Sequence, residues 1–308
     1  MKLVFFNDFT LGVLVGGMVH DITAAVKEIP HVTPQDLIQG VIVNFSNLHR
    51  PIEDLVRRSS GVPVGQVRLR PPLPRPTHIV AIAVNYMEFG ARKEPAPING
   101  FIKSSEAVIG NGDTIVLPDA QATIFHHEAE LGVVIGKEAR NVRAADAYSY
   151  VFGYVNFIDA SARGLGNGSF YWGKSWDTFA PMGPCLVTAD EVKDPQNLAV
   201  KLWVNGALRQ DFPTSDMAHN IRRCVEWVSG ITTLEPGDII STGTNHQGLG
   251  AMQNGDLIEM EVQGLERLVV HIKDPLGREW PRGIDRATAD RAAGRTTAGG
   301  FGAPAAQR

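Results

Sequence analysis

Two glutamates two residues apart, Glu128 and Glu130, open the run EAELGVVI (128–135), and Asp159 follows a second run, FGYVNFI (152–158). Both runs are rich in β-branched and apolar residues and read as strands. Side chains two apart on a strand share a face, so Glu128 and Glu130 project together, roughly 7 Å apart. Paired carboxylates repel unless positive charge lies between them, and Asp159 adds a third if the strands are neighbours. Three hard oxygen donors suit Mg²⁺, Mn²⁺ or Ca²⁺ better than zinc or copper. A Glu-x-Glu pair on a strand also occurs as a solvated face. Here the apolar continuation, Leu131 to Ile135, implies a covered sheet, where an unpaired charge is costly. Both readings stay open on these residues alone.

The elements that must hold these groups belong to a chain of ordinary globular composition. Its 308 residues are 44% hydrophobic and 20% charged, enough for one large domain or two unequal ones. A net charge of −4 gives no argument for nucleic acid or an anionic membrane surface. Cys185 and Cys224 lie in apolar contexts without metal-type spacing and read as buried free thiols. MKLVFFNDF lacks the pattern of a signal peptide and no run reaches the ~18 apolar residues of a membrane span, so a cytoplasmic protein is expected.

Short strands are expected to about Val26. Thr33-Pro34 then reads as an N-cap and first helical residue, with apolar spacing to Leu48 and a second helix opened by Pro51. The proline-rich segment 70–76 is an extended connector. The expected organisation is a small N-terminal α+β domain (1–72), a catalytic domain (73–285) and a disordered tail (286–308), where Ala, Gly, Arg and Thr leave little to bury. Gly-Asp pairs at 112–113, 237–238 and 255–256 read as tight turns feeding strands. A helix capped by Thr214 or Ser215 would place Ile221, Val225 and Val228 on one face.

Four segments in this order, HHEAELGVVIGK (126–137), GYVNFIDASAR (153–163), WGKSWDTFAPMGP (172–184) and LEPGDIISTGT (234–244), resemble the fumarylacetoacetate hydrolase superfamily over roughly residues 75–272. The resemblance implies a mostly β fold with a rolled mixed sheet, a homodimer, and a divalent metal, commonly Mg²⁺ with Mn²⁺ or Ca²⁺ as alternatives, held by Glu128, Glu130 and Asp159. It also implies small oxo-acid substrates that chelate the metal, whose Lewis acidity stabilises an enolate. Lys174 would bring positive charge to that oxyanion. Arg163 would grip a substrate carboxylate with its bidentate fork. Thr244, Lys103 and Tyr86 complete the substrate-binding set.

One departure bears on the reaction. Family hydrolases often carry a water-activating histidine and glutamate after an Asn-Tyr pair; here Asn85-Tyr86 leads into MEFGAR, with Phe89 in place of the histidine and Glu88 one residue off. His246 and Glu88 are therefore the candidate bases. His126, on the face of the two glutamates, reaches the substrate or serves structure. The expected function is metal-dependent C–C bond hydrolysis of a 2-oxo or 2,4-dioxo acid. The missing dyad favours the alternative of an isomerase, tautomerase or decarboxylase of an unsaturated 2-oxo dioate. A catalytically silent oxo-acid-binding metalloprotein is a further alternative. A glycosidase is excluded, because carboxylates two apart on one strand cannot flank a glycosidic bond from opposite sides.

Overall fold

The computed structural model describes residues 1–165 and 168–295. Its centre is a mixed sheet in which Ala129–Ile135 lies antiparallel to Val151–Ile158 on one side and to Ile239–Ser241 on the other. Ile239–Ser241 in turn runs parallel to Ile79–Ala83, which pairs with the edge strand Asn99–Lys103. Every residue of Ala129–Ile135 and of Ala180–Thr188 is buried, which explains why these segments read as continuous apolar runs rather than alternations. Strands covered on both faces need no polar side.

A five-stranded sheet packs against this one, with Leu257–Val262 at its centre and Ala199–Val204 between it and the edge strand Ala207–Pro213. Burial alternates strictly along Ala199–Val204 and Leu257–Val262, the signature of strands with one face on the core and one in water. The fold is mostly β, with mixed sheets and few helices, as the resemblance implies.

Lys2–Phe6 pairs antiparallel with Ala180–Thr188, so the N-terminal strands are hydrogen-bonded into the same sheet that carries the glutamates. Thr33 caps the helix Pro34–Val43 in a reciprocal capping box with Asp36. That helix ends earlier than its apolar spacing suggests, because Asn44 closes it with its amide on Gly40 O at 2.8 Å. The next helix, Phe45–Arg58, then runs through Pro51 instead of starting there. Ile221, Val225 and Val228 are buried together on the helix Ile221–Ile231, but its cap is Asn220, whose side chain accepts from Arg223 N at 2.9 Å. Thr214 sits instead in a separate 3₁₀ turn, its hydroxyl tied to Pro195 O.

The three Gly-Asp turns share one construction. Gly112, Gly237 and Gly255 have φ of 80°, 87° and 81°, and the following aspartate accepts from the backbone N–H three residues before it at 2.8 Å in each case. The glycine supplies the left-handed conformation and the carboxylate closes the turn.

The expectation of disorder from residue 286 is corrected by a helix, Arg286–Ala292, capped by Asp285 and burying Ala289 and Ala292. Small side chains, read as nothing to bury, instead let this helix seat closely. Residues 296–308 of the expected tail lie outside the described residues. Among the described residues, no helix is long and apolar enough to cross a membrane.

Candidate active site

The pairing of Ala129–Ile135 with Val151–Ile158 sets Ala129 opposite Ile158, and Asp159 N donates to Glu128 O at 2.9 Å. Asp159 is thereby delivered to the two glutamates, and one ligand atom from each of Glu128, Glu130 and Asp159 lies within 4.8 Å of the others. All three are buried. The solvated-face reading of Glu-x-Glu is thus excluded.

Three cations answer these carboxylates. Lys174 Nζ donates to Glu128 Oε2 at 2.6 Å and to Asp159 Oδ2 at 2.5 Å. Lys103 Nζ takes the other oxygen of Asp159 at 2.5 Å, and Arg163 Nη2 pairs with Glu128 Oε1. Among the described residues no cation pairs directly with Glu130; Ser241 Oγ and Gly243 N donate to its Oε2 at 2.5 and 2.9 Å. Burial, then the charges of Asp159 and Glu128, push its pKa up to about 8. Burial opposes ionisation of Glu128 as well, but Lys174 and Arg163 overcome it and hold that carboxyl well below the usual range. Burial first and then repulsion make Glu130 harder to ionise than Glu128, so the cluster has room for more positive charge. Its donors are all carboxylate oxygens, and a divalent ion such as Mg²⁺, Mn²⁺ or Ca²⁺ fits them.

The cavity at this cluster is lined by Glu128, Glu130, Asp159, Arg163 and Lys174 together with Ile82, Phe101, Phe170, Thr244 and His246. Phe101 and Phe170 stack with centroids 4.6 Å apart and planes 7° off parallel. They give the site one flat apolar wall beside its charges.

Two residues assigned to substrate do not reach it. Tyr86 is fully buried and does not line the cavity, with its ring edge-on to Phe212 at 4.9 Å. Its hydroxyl is buried without a well-aligned hydrogen-bond partner among the described residues. Lys103 lies beneath the cluster and is 1% exposed, with its ammonium spent on Asp159 Oδ1 and on Lys174 O at 2.5 Å. It supports two site residues from behind. Ser175 and Thr178 of the Gly-Lys-Ser motif are structural, accepting from Ser104 N and Val116 N.

His246 and Glu88, which the sequence offers as separate bases, form one unit. Glu88 Oε1 is 2.6 Å from His246 Nδ1, and Glu88 Oε2 accepts from His246 N at 2.9 Å. Glu88 and Phe89 both have φ of 55°, followed by Gly90 at 75°. This left-handed stretch is unfavourable for the two side-chain-bearing residues. It turns Glu88 inward, where it is 1% exposed, and Phe89 outward, where it is 57% exposed. Asp216 holds the bend by accepting from Phe89 N at 3.1 Å. Glu88 and His246 thus meet as a carboxylate–imidazole pair, an arrangement that suits either activation of water or relocation of a substrate proton.

Gln247 donates through Nε2 to Glu88 Oε2 at 2.9 Å and to Ala289 O at 3.1 Å, tying the dyad to the C-terminal helix. Beside it, His126 Nδ1 receives Arg163 Nε–H at 3.1 Å, and its Nε2 faces Asp285 Oδ2 at 3.1 Å without a well-aligned hydrogen bond. Burial pulls the His126 pKa down to about 4. His126 is thus a neutral support behind Arg163. No sequence motif announced Ser241, Asp285 or Gln247 as participants; only Ser241 lay inside a matching segment.

A sequence profile described as the C-terminal domain of fumarylacetoacetate (FAA) hydrolase matches residues 78–273. The chain belongs to the fumarylacetoacetate hydrolase family. It is similar to the maleylpyruvate hydrolase of Aquipseudomonas alcaligenes, 34% identical over 289 residues, covering 89% of this chain and 99% of that protein. It is also 35% identical over 265 residues to a mitochondrial oxaloacetate tautomerase of Bos taurus, covering 81% of this chain and 82% of the relative. Among solved structures, maleylpyruvate hydrolase from Sphingobium sp. SYK-6, in complex with manganese(II) and pyruvate, superposes with a TM-score of 0.82 at 36% identity, covering 89% of this chain and 99% of that one. These relatives include hydrolases and a tautomerase, and the chain is an enzyme of this metal-dependent family.

Proposed function

We propose that this enzyme hydrolyses a C–C bond in a small 2,4-dioxo acid of the acylpyruvate class, with Mg²⁺ as its usual ion and Mn²⁺ or Ca²⁺ as substitutes. The observation that carries the reading is the Glu88–His246 pair, whose histidine lines the same cavity as Glu128, Glu130 and Asp159. A divalent ion on the three carboxylates would supply Lewis acidity to the substrate's 2-oxo group. Everything else falls to side chains.

Arg163 and Thr244 would take the substrate carboxylate. Phe101 and Phe170 flank the planar, conjugated part of the molecule. A Glu88 carboxylate at Nδ1 orients the His246 imidazole and favours its proton there, and His246 would act as the base. His246 takes a proton from water, and the resulting hydroxide equivalent adds to the C4 carbonyl. The C3–C4 bond then breaks. Its electron pair passes to the 2-oxo group as an enolate, with the Lys174 ammonium close by to stabilise the charge. The proton held by His246 moves to C3, giving pyruvate and a carboxylic acid.

Enol–keto tautomerisation is a second reading, supported by the bovine relative; the same dyad would then relocate a proton without activating water. Incubating the enzyme with maleylpyruvate, acylpyruvates and 2-oxo dioates, with and without Mg²⁺ or Mn²⁺, separates the two by proton NMR. Metal-dependent appearance of pyruvate supports hydrolysis. Exchange of C3 protons or release of carbon dioxide, with no cleavage by water, would overturn it. We also propose a twofold dimer; sedimentation at micromolar concentration returning a mass near 33.4 kDa would argue against it.

A further inference from the structure

Gln210 lies on the Ala207–Pro213 strand of the five-stranded sheet, is 1% exposed, and does not line the cavity. Its amide is nevertheless fully used. Oε1 accepts from Ala129 N at 3.2 Å, at the start of the strand that carries Glu130, and faces His127 Nδ1 at 3.2 Å. Nε2 donates to Asn245 O at 2.9 Å and to Thr244 Oγ1 at 2.8 Å.

The two backbone partners settle which end of the amide is which. A backbone N–H only donates and a carbonyl only accepts, so oxygen must face Ala129 and nitrogen must face Asn245. Thr244 Oγ1 therefore receives a proton from Gln210 and cannot direct its own proton back. Thr244 lines the cavity, and among the described residues its hydroxyl proton meets no protein acceptor. The contact is held closed from outside: a Cβ on Gly248 would lie 1.9 Å from Arg209 O, so the Thr244–Gly248 loop is pressed directly onto the strand bearing Gln210.

We propose that Gln210 is a positioning residue that converts Thr244 into a hydrogen-bond donor aimed at an anionic oxygen of the substrate. A threonine hydroxyl can donate or accept; with its lone pair engaged by Gln210, the donor role is what remains for the ligand. This inference rests on the oxo-acid reading of the site.

The test uses full-length Mn²⁺-loaded protein with pyruvate as the probe, its affinity measured by calorimetry alongside Mn²⁺ affinity and thermal unfolding. Thr244→Val removes the donor and is expected to weaken pyruvate about tenfold, the scale of one hydrogen bond to a charged group. Gln210→Glu presents an acceptor to Thr244 and captures its proton, and should weaken pyruvate by a similar factor. Gln210→Met, which removes the donor while keeping the shape, serves where the carboxylate impairs folding and should cost less than Gln210→Glu. In the Thr244→Val background, either Gln210 variant should add nothing.

An undiminished penalty from Gln210 variants in the Thr244→Val background would overturn the inference, because Gln210 would then act by another route. A loss of Mn²⁺ affinity equal to the loss of pyruvate affinity would overturn it too, by showing a general collapse of the site. A parent enzyme that binds Mn²⁺ but no pyruvate would instead sink the oxo-acid reading, and the proposal with it.

Discussion

Glu88 and His246 stand 158 positions apart in the chain and 2.6 Å apart in the fold. Glu88 Oε2 accepts from the backbone N–H of His246 and Oε1 faces its Nδ1, so the ring is fixed in orientation and a proton is favoured at Nδ1. Replacing Glu88 with Gln should be more damaging than loss of a charge alone. A glutamine oxygen can keep the backbone contact, but its NH₂ then meets Nδ1 and drives the proton to Nε2, removing the basic lone pair from the cavity. Glu88→Gln and His246→Ala are each expected to lower kcat by ~10²–10⁴-fold, with the double variant little worse than either single. Turnover within a few-fold of the parent in both singles would remove the dyad from the mechanism.

The carboxylate cluster gives a separable expectation. Glu128→Gln and Glu130→Gln each keep side-chain volume while deleting a charged oxygen ligand, so folding should persist and Mg²⁺ or Mn²⁺ binding should not. Glu128→Gln also strands Lys174 and Arg163 with one fewer carboxylate, and is expected to be the less stable of the two. Calorimetry showing unchanged metal binding in both variants would move the metal elsewhere.

These outcomes bear on what the sequence discloses. Glu128, Glu130 and Asp159 were legible because a period-two strand and two apolar runs are local patterns, and a neighbouring pair of strands closes the cluster. The Glu88–His246 pair was not, because its geometry depends on Glu88 and Phe89 both taking φ of 55°, against the preference of residues with side chains. Read by position alone, Phe89 replaces a histidine; read in space, Phe89 simply points outward. Gln210 gave no signal at all in ALRQDFP, since its partners come from two other segments. Tyr86 shows the opposite failure: proximity in sequence to a motif placed it at the site, whereas packing against Phe212 took it into the core.

The cysteines were also legible, and their burial has a measurable consequence. Burial pushes the Cys185 and Cys224 thiols up to about 12. The folded state therefore keeps both thiols protonated while the unfolded chain releases protons above pH ~9. Their stabilising effect is complete below that pH and is lost as pH rises toward 12. The stability difference between the parent and a Cys185→Ala/Cys224→Ala variant, followed by urea denaturation from pH 8 to 11, should shrink as pH rises. A difference that stays constant over that range would contradict the burial argument, as would rapid labelling of either thiol in the native protein.

The C-terminal helix lies beyond the 78–273 family match, yet Gln247 joins it to the dyad through Ala289 O and Glu88 Oε2. Arg92 Nε adds a second tie from the dyad's own segment to Ala292 O at 3.1 Å. If these contacts fix Glu88 against His246, cutting one should affect the chemical step more than substrate binding. Gln247→Ala is therefore expected to lower kcat about three- to tenfold, the worth of a single hydrogen bond, with KM changed by less than twofold. Gln247→Glu should be worse, because it sets a second carboxylate against Glu88 and repels Ala289 O. Arg92→Ala removes the other tie and should add to Gln247→Ala only weakly if both act through one helix. A Gln247→Ala enzyme with full kcat would show that the helix covers the dyad without holding it.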